Sequence, residues 1–447
     1  MRVHDFVDEG LGHSSYVIDL GDGTAAIVDP PRFPTAQQAL IESLGLRLAW
    51  TLDTHSHADY VTGSPALVTR WGATFIAPAA SRLTLPHLPV EDREHITLAE
   101  GIALVALATP GHTPDHHAYL LTERGAPVAL FSGGSLMVGT VGRTDLCGAE
   151  LAVPLAHKMF AALRRFDELP DDLAVYPTHG AGSFCSAPGS SLRTSTLRHE
   201  RDTNSLFSID DEDVFVEQLV AGFGTFPTYF ARLPELNRLG PVRYDSLPHL
   251  AALQPEDVDR LAAGGVVVDA RPMANFAAGH VPGSLSNTLR PVFASWLGWL
   301  VEPDRPLVFI LDPDQDRDEL VRQCLDVGHE HLAGELQGGI EAWTGSRRTV
   351  KTIPLIDAAA TTDTVIDVRQ EIEYASGHVP GAVNIELGQI ATANVDRGHI
   401  TVMCGHGERA MSGASILAAR GHNDLVVLDG GPETWSAATG RPLETSP

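Results

Sequence analysis

Residues 266–284 read VVVDARPMANFAAGHVPGS and residues 365–382 read VIDVRQEIEYASGHVPGA, with the same interval from Asp269 to His280 as from Asp367 to His378. Each stretch opens on a short β-branched run ending in Asp, passes through an amphipathic helical segment, and reaches a His-Val-Pro-Gly turn ahead of another apolar run. β-Branched residues suit a pleated, buried strand, and the change from strand to helical periodicity marks a βα unit. Each copy later reaches a Gly-Gly pair and a tryptophan, Gly338-Gly339 with Trp343 and Gly430-Gly431 with Trp435. Two aligned motif pairs identify two homologous domains in tandem, spanning 245–348 and 350–447. Their alternation of strand and helix predicts small parallel α/β folds.

Outward from the repeats, a chain of 447 residues with 43% hydrophobic content has material for two or three cores. Residues 1–240 have a different texture. Short β runs at 15–20, 24–28, 73–77, 102–108 and 128–132 are separated by Gly, Pro and His, and an acidic, helical stretch over 197–240 leads to a connector. The formal charge of −26 is not offset by any run of Lys or Arg, which sets aside nucleic acid and anionic membranes as partners and favours small-molecule chemistry. Neither a basic-then-apolar leader nor an apolar run of roughly 18 residues is present, so a soluble, cytoplasmic protein is expected. Cys147, Cys185, Cys324 and Cys404 are too scattered for a disulfide framework or a Cys-x-x-Cys zinc clip, so at least one is expected to be a working thiol.

The best candidate is Cys404. The strand 400–403 runs into Cys404-Gly405-His406-Gly407-Glu408-Arg409 and then into an Ala-rich helical stretch. At such a junction loop N–H groups can converge on the sulfur, and the helix N-terminus favours thiolate over thiol. The two glycines let the loop curl, and Arg409 is expected to hold an anionic group before the sulfur. This loop, preceded by Asp-Val-Arg and Gly-His-Val-Pro-Gly-Ala, resembles the rhodanese family over the whole final domain. The resemblance implies that Cys404 takes the outer sulfur of thiosulfate or a persulfide, holds it as a persulfide, and passes it to an acceptor thiol or other nucleophile. It also gives Asp367, Arg369 and His378 structural roles. Cysteine-dependent phosphatases space Cys and Arg one residue further apart. In the middle copy, counting back from Trp343 by the interval that separates Trp435 from Cys404 gives Asp312, so that copy is expected to be noncatalytic.

At the N-terminal end, Thr54 to Gly63 reads THSHADYVTG, followed later by Thr109-Pro110-Gly111-His112-Thr113 and Tyr176-Pro177-Thr178-His179-Gly180. Two histidines one residue apart in a loop can face one ion, with a nearby Asp to assist. These motifs resemble the metallo-β-lactamase superfamily over about the first 240 residues, and more closely its persulfide dioxygenase and glyoxalase II branch. The segments Gly142-Arg143-Thr144-Asp145, His179 to Cys185 and Arg201 to Asn204 strengthen the dioxygenase side. The resemblance implies an α/β multidomain chain, a metallo-β-lactamase αββα sandwich followed by two rhodanese-like α/β domains, an arrangement known in this branch. Its persulfide dioxygenases use one iron and O₂ to oxidise persulfide to sulfite.

Two departures bear on the metal. The family's His-x-His-x-Asp-His ends here in Tyr60, and its Thr-Gly-Asp appears as Ser132-Gly133-Gly134. A binuclear thioester hydrolase is therefore disfavoured. The expectation is one ion per chain, iron(II) ahead of zinc(II), on His55, His57 and His112, with Asp59, His179, Asp145 or Cys185 as additional site residues. Restoring a carboxylate at Gly134 is expected to raise iron affinity, and Cys185 is a candidate to hold a persulfide during transfer. His116 and His117, adjacent on a presumed strand, point apart and receive no role. The leading function is sulfane-sulfur and hydrogen sulfide metabolism, with Cys404 sulfurtransfer joined to a domain that oxidises or binds a persulfide such as that of glutathione. The alternatives are a glyoxalase-II-like hydrolase and a nonenzymatic persulfide carrier or sensor; a homo-oligomer is left open.

Overall fold

The structure is a computed structural model and describes residues 1–185, 192–361 and 364–446. The chain divides into two compact units, one formed by Met1–Ser246 with Leu325–Gly328, the other by Leu247–Cys324 with His329–Pro447.

The first unit is built from two six-stranded sheets. One runs in the order Arg2–Asp8, His13–Asp19, Thr24–Val28, Arg47–Leu52, Thr74–Pro78 and Leu88–Val90, antiparallel through the first three strands and parallel thereafter. The other runs Ser195–Thr196, Ala174–Pro177, Ala126–Gly133, His117–Glu123, Ile102–Ala108 and His95–Ala99. Side chains alternate across each strand, so every strand serves two layers. Tyr16, Ile18, Ala26 and Val28 meet Leu104, Tyr119, Leu121 and Phe131 between the sheets. Val17, Ala25 and Ile27 instead face Ile41 and Leu67 of the helices Thr35–Ser43 and Ser64–Trp71. Ala118, Leu120 and Leu130 pack on Ala156, Met159 and Phe215 of the helices Ala152–Arg164 and Glu212–Ala221. The result is the expected αββα sandwich. Fully buried apolar side chains such as Phe131 each contribute about 1.5–3 kcal/mol. The Tyr16 phenol is not left unpaired, since it donates to Pro177 O at 2.5 Å from one sheet to the other.

The second unit contains two five-stranded parallel sheets with identical connectivity. The first runs Ala252–Leu253, Leu332–Leu336, Leu307–Ile310, Val266–Asp269, Leu285–Ser286; the second runs Leu355–Ile356, Leu425–Leu428, Ile400–Met403, Thr364–Asp367, Val383–Asn384. The sequence repeat is thus a structural repeat, and its motif residues hold each copy together. Arg369 donates to the buried Asp367 carboxylate through Nε at 2.9 Å and Nη2 at 2.6 Å, and to Gly377 O at 2.8 Å. Arg271 does the same with Asp269 and Gly279 O. The following histidines stack on the aromatic residue four positions earlier, His280 on Phe276 at 3.9 Å and His378 on Tyr374 at 3.8 Å. Asp, Arg and His therefore tie the strand end to the Gly-His turn.

Among the described residues no helix is long and apolar enough to cross a membrane. Because Asp367 is fully buried, removing it leaves the Arg369 charge without a partner. Asp367→Ala should cost about 3–5 kcal/mol, read as an earlier unfolding transition of the final module by calorimetry of the full chain. An unchanged transition would refute the structural role given to this pair.

Candidate functional site

The strand Ile400–Met403 delivers Cys404 to the N-terminal end of the helix Glu408–Ala419. Gly407, at φ +103, curls the loop so that its N–H donates to Cys404 Sγ at 3.1 Å. Cys404 is buried, Gly405 half-buried and His406 exposed. A side chain at Gly431 would place Cβ 2.4 Å from Gly405 O, which explains the Gly-Gly turn beside the loop.

Arg409, expected from the sequence to hold an anionic group before the sulfur, is paired within its own module. Its guanidinium forms a two-pronged pair with Glu373 at 2.7 and 2.8 Å and lies 5.8 Å from the Trp296 ring centre. Burial works against the Glu373 charge, but Arg409 wins and holds that carboxyl below its usual range. Arg409 still borders the Cys404 loop, where a Cβ on Gly405 would lie 3.6 Å from its Nη2.

The middle copy, with Asp312 at the place of Cys404, also contributes to this loop. Met273 packs on Gly407, where an added Cβ would fall 2.7 Å from the Met273 sulfur. Ser412 donates to Ser286 O at 2.6 Å, and Ser286 N–H donates to Ser415 Oγ at 3.1 Å, fixing the helix after Cys404. At its own equivalent position the Asp312 N–H is occupied by Gln315 Oε1 at 2.8 Å, and Asn275 donates to the Asp312 carboxylate at 2.7 Å. Arg317 donates to the carbonyls of Asp312, Pro313 and Gln315. The loop turns oxygens toward a cation, the reverse of an anion cradle. Cys324 is buried on the helix Arg317–Asp326.

In the first unit the candidate ligands sit at strand ends along one edge of the sandwich. Asp29, at φ 50 after the strand Thr24–Val28, is fully buried. Its carboxylate accepts from Thr54 N–H at 2.7 Å, Thr54 Oγ1 at 2.8 Å and Thr178 Oγ1, and lies 3.1 Å from His57 Nε2. Burial opposes its ionisation, yet His57 and these donors hold its pKa below the ordinary value. The same carboxylate holds His57 above the imidazole range against burial. Asp53 is saturated by Thr62 and Ser64 at 3.0 and 2.6 Å, and burial raises it to about 7.

Around this support the histidines converge. Thr54 Oγ1 lies 2.8 Å from His55 Nδ1, leaving His55 Nε2 directed at His179 Nε2, 3.3 Å away. His112 Nδ1 donates to Arg143 O at 2.9 Å, and its Nε2 is buried without a partner. His57 spends Nε2 on Asp29 and the Tyr60 hydroxyl and leaves Nδ1 unpartnered. Burial drives the pKa of His55 well down and that of His112 to about 3, which keeps both rings neutral as metal ligation requires.

Two overlapping groups have ligand atoms within 4.8 Å of one another: His55, His57 and His179, and His112, His179 and Cys185. The structure thus brings His55, His57 and His112 to one locality but makes His179 the shared member. Asp59 belongs at the edge, with Oδ2 3.2 Å from His179 Nδ1. Asp145 does not join: Arg143 claims it at 2.7 and 2.8 Å. His112 Nε2 and His57 Nδ1 are buried and unpartnered, and burial keeps His55 and His112 neutral; the set fits a metal ion whose binding displaces any proton on His57. A third group, Asp29, Asp53 and His57, is filled by internal hydrogen bonds.

The departures also acquire geometry. Tyr60 packs on His57 at 4.4 Å and burial pushes its phenol well above the usual value, so it stays protonated and offers no ligand anion. At Gly134 an added Cβ would fall 2.2 Å from His112 Cδ2, so a carboxylate there must displace a candidate ligand. The expected gain in iron affinity thus requires His112 to move first. His116, given no role from sequence, lies in the cluster: its Nε2 accepts from Gly134 N–H at 2.8 Å and its Nδ1 faces Thr109 Oγ1 at 2.8 Å. His13 stacks on Tyr60 at 4.1 Å with both ring nitrogens unpartnered. No sequence spacing pointed to His13, because it arrives on a different strand from every motif.

Comparison with known proteins follows the same division. The family model of the metallo-beta-lactamase superfamily matches residues 8–179, and that of the rhodanese-like domain matches 254–346 and 354–438. The human mitochondrial persulfide dioxygenase ETHE1 is 31% identical over 42% of this chain and 68% of that protein. A hydroxyacylglutathione hydrolase of Prochlorococcus marinus is 32% identical over 35% of this chain, which spans 61% of the hydrolase. A crystal structure of a metallo-beta-lactamase from Staphylococcus aureus superposes with a TM-score of 0.66 at 26% identity, covering 75% of this chain and 98% of that one.

Since His179 belongs to both candidate groups, His179→Ala should lower bound metal from near one equivalent to a small fraction, measured by elemental analysis of the anaerobically purified chain. Undiminished metal in that variant would remove His179 from the site.

Proposed function

The chain belongs to the metallo-beta-lactamase superfamily, in the family of the ETHE1 persulfide dioxygenases, with two rhodanese-like domains attached; from that premise we propose that it is a sulfane-sulfur enzyme working through Cys404. The observation that carries the reading is the Cys404 sulfur at a helix N-terminus, with the Gly407 N–H directed at it from 3.1 Å. Both turn partial positive charge of the backbone toward that sulfur. The Cys404 thiolate attacks the outer sulfur of thiosulfate or a persulfide. As the new S–S bond forms the old one breaks, and sulfite or a thiolate leaves with its electron pair. An acceptor nucleophile then takes the outer sulfur and restores the Cys404 thiolate, with no net change in oxidation state. Glu373 fixes Arg409 beside the loop.

The N-terminal domain is proposed to hold one ion, iron(II) ahead of zinc(II), and to oxidise or bind the persulfide of a small thiol such as glutathione. When bound, the ion supplies open positions for sulfur and O₂. His55 and His112 are neutral donors oriented by Thr54 and by the Arg143 carbonyl, and the buried setting keeps bulk water from the reacting sulfur. A thioester hydrolase is the competing reading, favoured by similarity to the hydroxyacylglutathione hydrolase. It stands second because neither Tyr60 nor Gly134 supplies the ligands of another metal. A carrier or sensor without catalysis in this domain is the third. Cytoplasmic location remains part of the proposal.

Cys404→Ser should reduce thiosulfate:cyanide sulfurtransfer to background, whereas Asp312→Ala should leave it nearly unchanged. Substantial turnover by the serine variant would end the assignment. For the N-terminal domain, O₂ uptake with glutathione persulfide is expected from iron-loaded protein. Its absence, together with hydrolysis of a glutathione thioester, would transfer the assignment to the hydrolase.

A further inference from the structure

Position 134 offers the histidine cluster no carboxylate, yet a thiol lies within reach of two of its histidines. Cys185 is buried, and its sulfur belongs to the same 4.8 Å group as ligand atoms of His112 and His179. We propose that Cys185 is a ligand of the N-terminal ion, completing a site of two imidazoles and one thiolate.

Three observations support this placement. His112 belongs to the group, and its Nε2 is buried and unpartnered while the ring is fixed from Nδ1 by Arg143 O at 2.9 Å. The same residue secures Cys185: Arg143 N–H donates to Cys185 O at 3.2 Å, and the Arg143 guanidinium donates to Phe184 O at 3.2 Å. Cys185 N–H is further held by Ser183 Oγ at 3.1 Å. One residue therefore positions both donors, and Asp145 in turn orients its guanidinium. Finally, the Gly134 side cannot admit a carboxylate while His112 keeps its place, since a Cβ there would lie 2.2 Å from the ring.

The chemistry is conservative in charge and different in character. A thiolate supplies the single negative charge that a carboxylate would have supplied, but it is softer and favours zinc, copper(I) or iron over magnesium or calcium. Binding releases the Cys185 proton to solvent, one per ion, and transfers no electron. His55 stands beside the group as a further nitrogen, 3.3 Å from His179. Asp59, 3.2 Å from His179 on its Nδ1 side, is the competing anionic donor.

The inference rests on the reading that this domain holds a metal, and is independent of whether the domain oxidises persulfide. The test uses the full chain carrying Cys404→Ser, so that the rhodanese thiol adds no signal, loaded with cobalt(II). A near-ultraviolet thiolate-to-cobalt band is expected, lost when Cys185→Ser is added and retained when Asp59→Asn is added instead. Because the Cys185 variant could misfold, zinc X-ray absorption on the unmodified chain provides a second measurement: one sulfur at about 2.3 Å among lighter ligands at about 2.0–2.1 Å. Bound cobalt without the band, a band that survives loss of Cys185, zinc with nitrogen and oxygen ligands only, or no bound metal at all would each overturn the proposal. Absent O₂ uptake with the band intact would instead count against the dioxygenase reading alone.

Discussion

The buried carboxylate of Asp29 is the constraint on which the N-terminal site depends. It closes the strand Thr24–Val28 and gathers Thr54 and His57 from the loop after Arg47–Leu52 and Thr178 from the loop after Ala174–Pro177, one from each sheet. A carboxylate in an apolar interior is costly unless nearly every lone pair finds a donor. Here that demand works in favour of the site: satisfying Asp29 forces the Thr54 and Thr178 loops together, and so brings His55 to His179. The left-handed backbone at Asp29 belongs to the same solution, because it turns the chain at the strand end while the carboxylate stays inside.

The second unit shows how one backbone arrangement can be filled with opposite polarity. Both copies have the same parallel sheet and the same buried Asp–Arg pair. After the strand Ile400–Met403, a glycine N–H points at sulfur; after the strand Leu307–Ile310, Arg317 collects carbonyl oxygens. The second arrangement repels an anion. Yet the middle copy retains a purpose in the packing, since Met273 covers Gly407 and Ser286 clamps the helix that begins after the Cys404 loop.

The two proposed chemistries call for different environments. Persulfide transfer at Cys404 calls for an N–H donor on the sulfur and a helix N-terminus beside it, as Gly407 and the helix Glu408–Ala419 provide. A metal site needs neutral imidazoles, and burial supplies them by suppressing protonation of His55 and His112. Tyr60 shows the same effect in reverse, for burial keeps its phenol protonated and out of ligation. Environment, rather than residue type alone, separates ligand from spectator.

Much of this was legible in order along the chain, for a physical reason. The repeat, the Asp-x-Arg and Gly-His-Val-Pro-Gly motifs, the Cys404 loop and the His-x-His run are local patterns, in which covalent spacing fixes what one turn or strand end can present. Sequence therefore determined the family resemblance and the αββα and tandem α/β architecture, and singled out Cys404 as the candidate nucleophile with Asp312 at the matching place in the middle copy. It did not reveal that Glu373 occupies Arg409, that Arg143 removes Asp145 from the metal site, or that His112 fills the space a carboxylate at Gly134 would need. Nor did it single out His13 and His116, or make His179 the meeting point of two ligand groups. Those outcomes depend on which side chain from a distant strand reaches a buried atom first, and only the packing of the two sheets decides that.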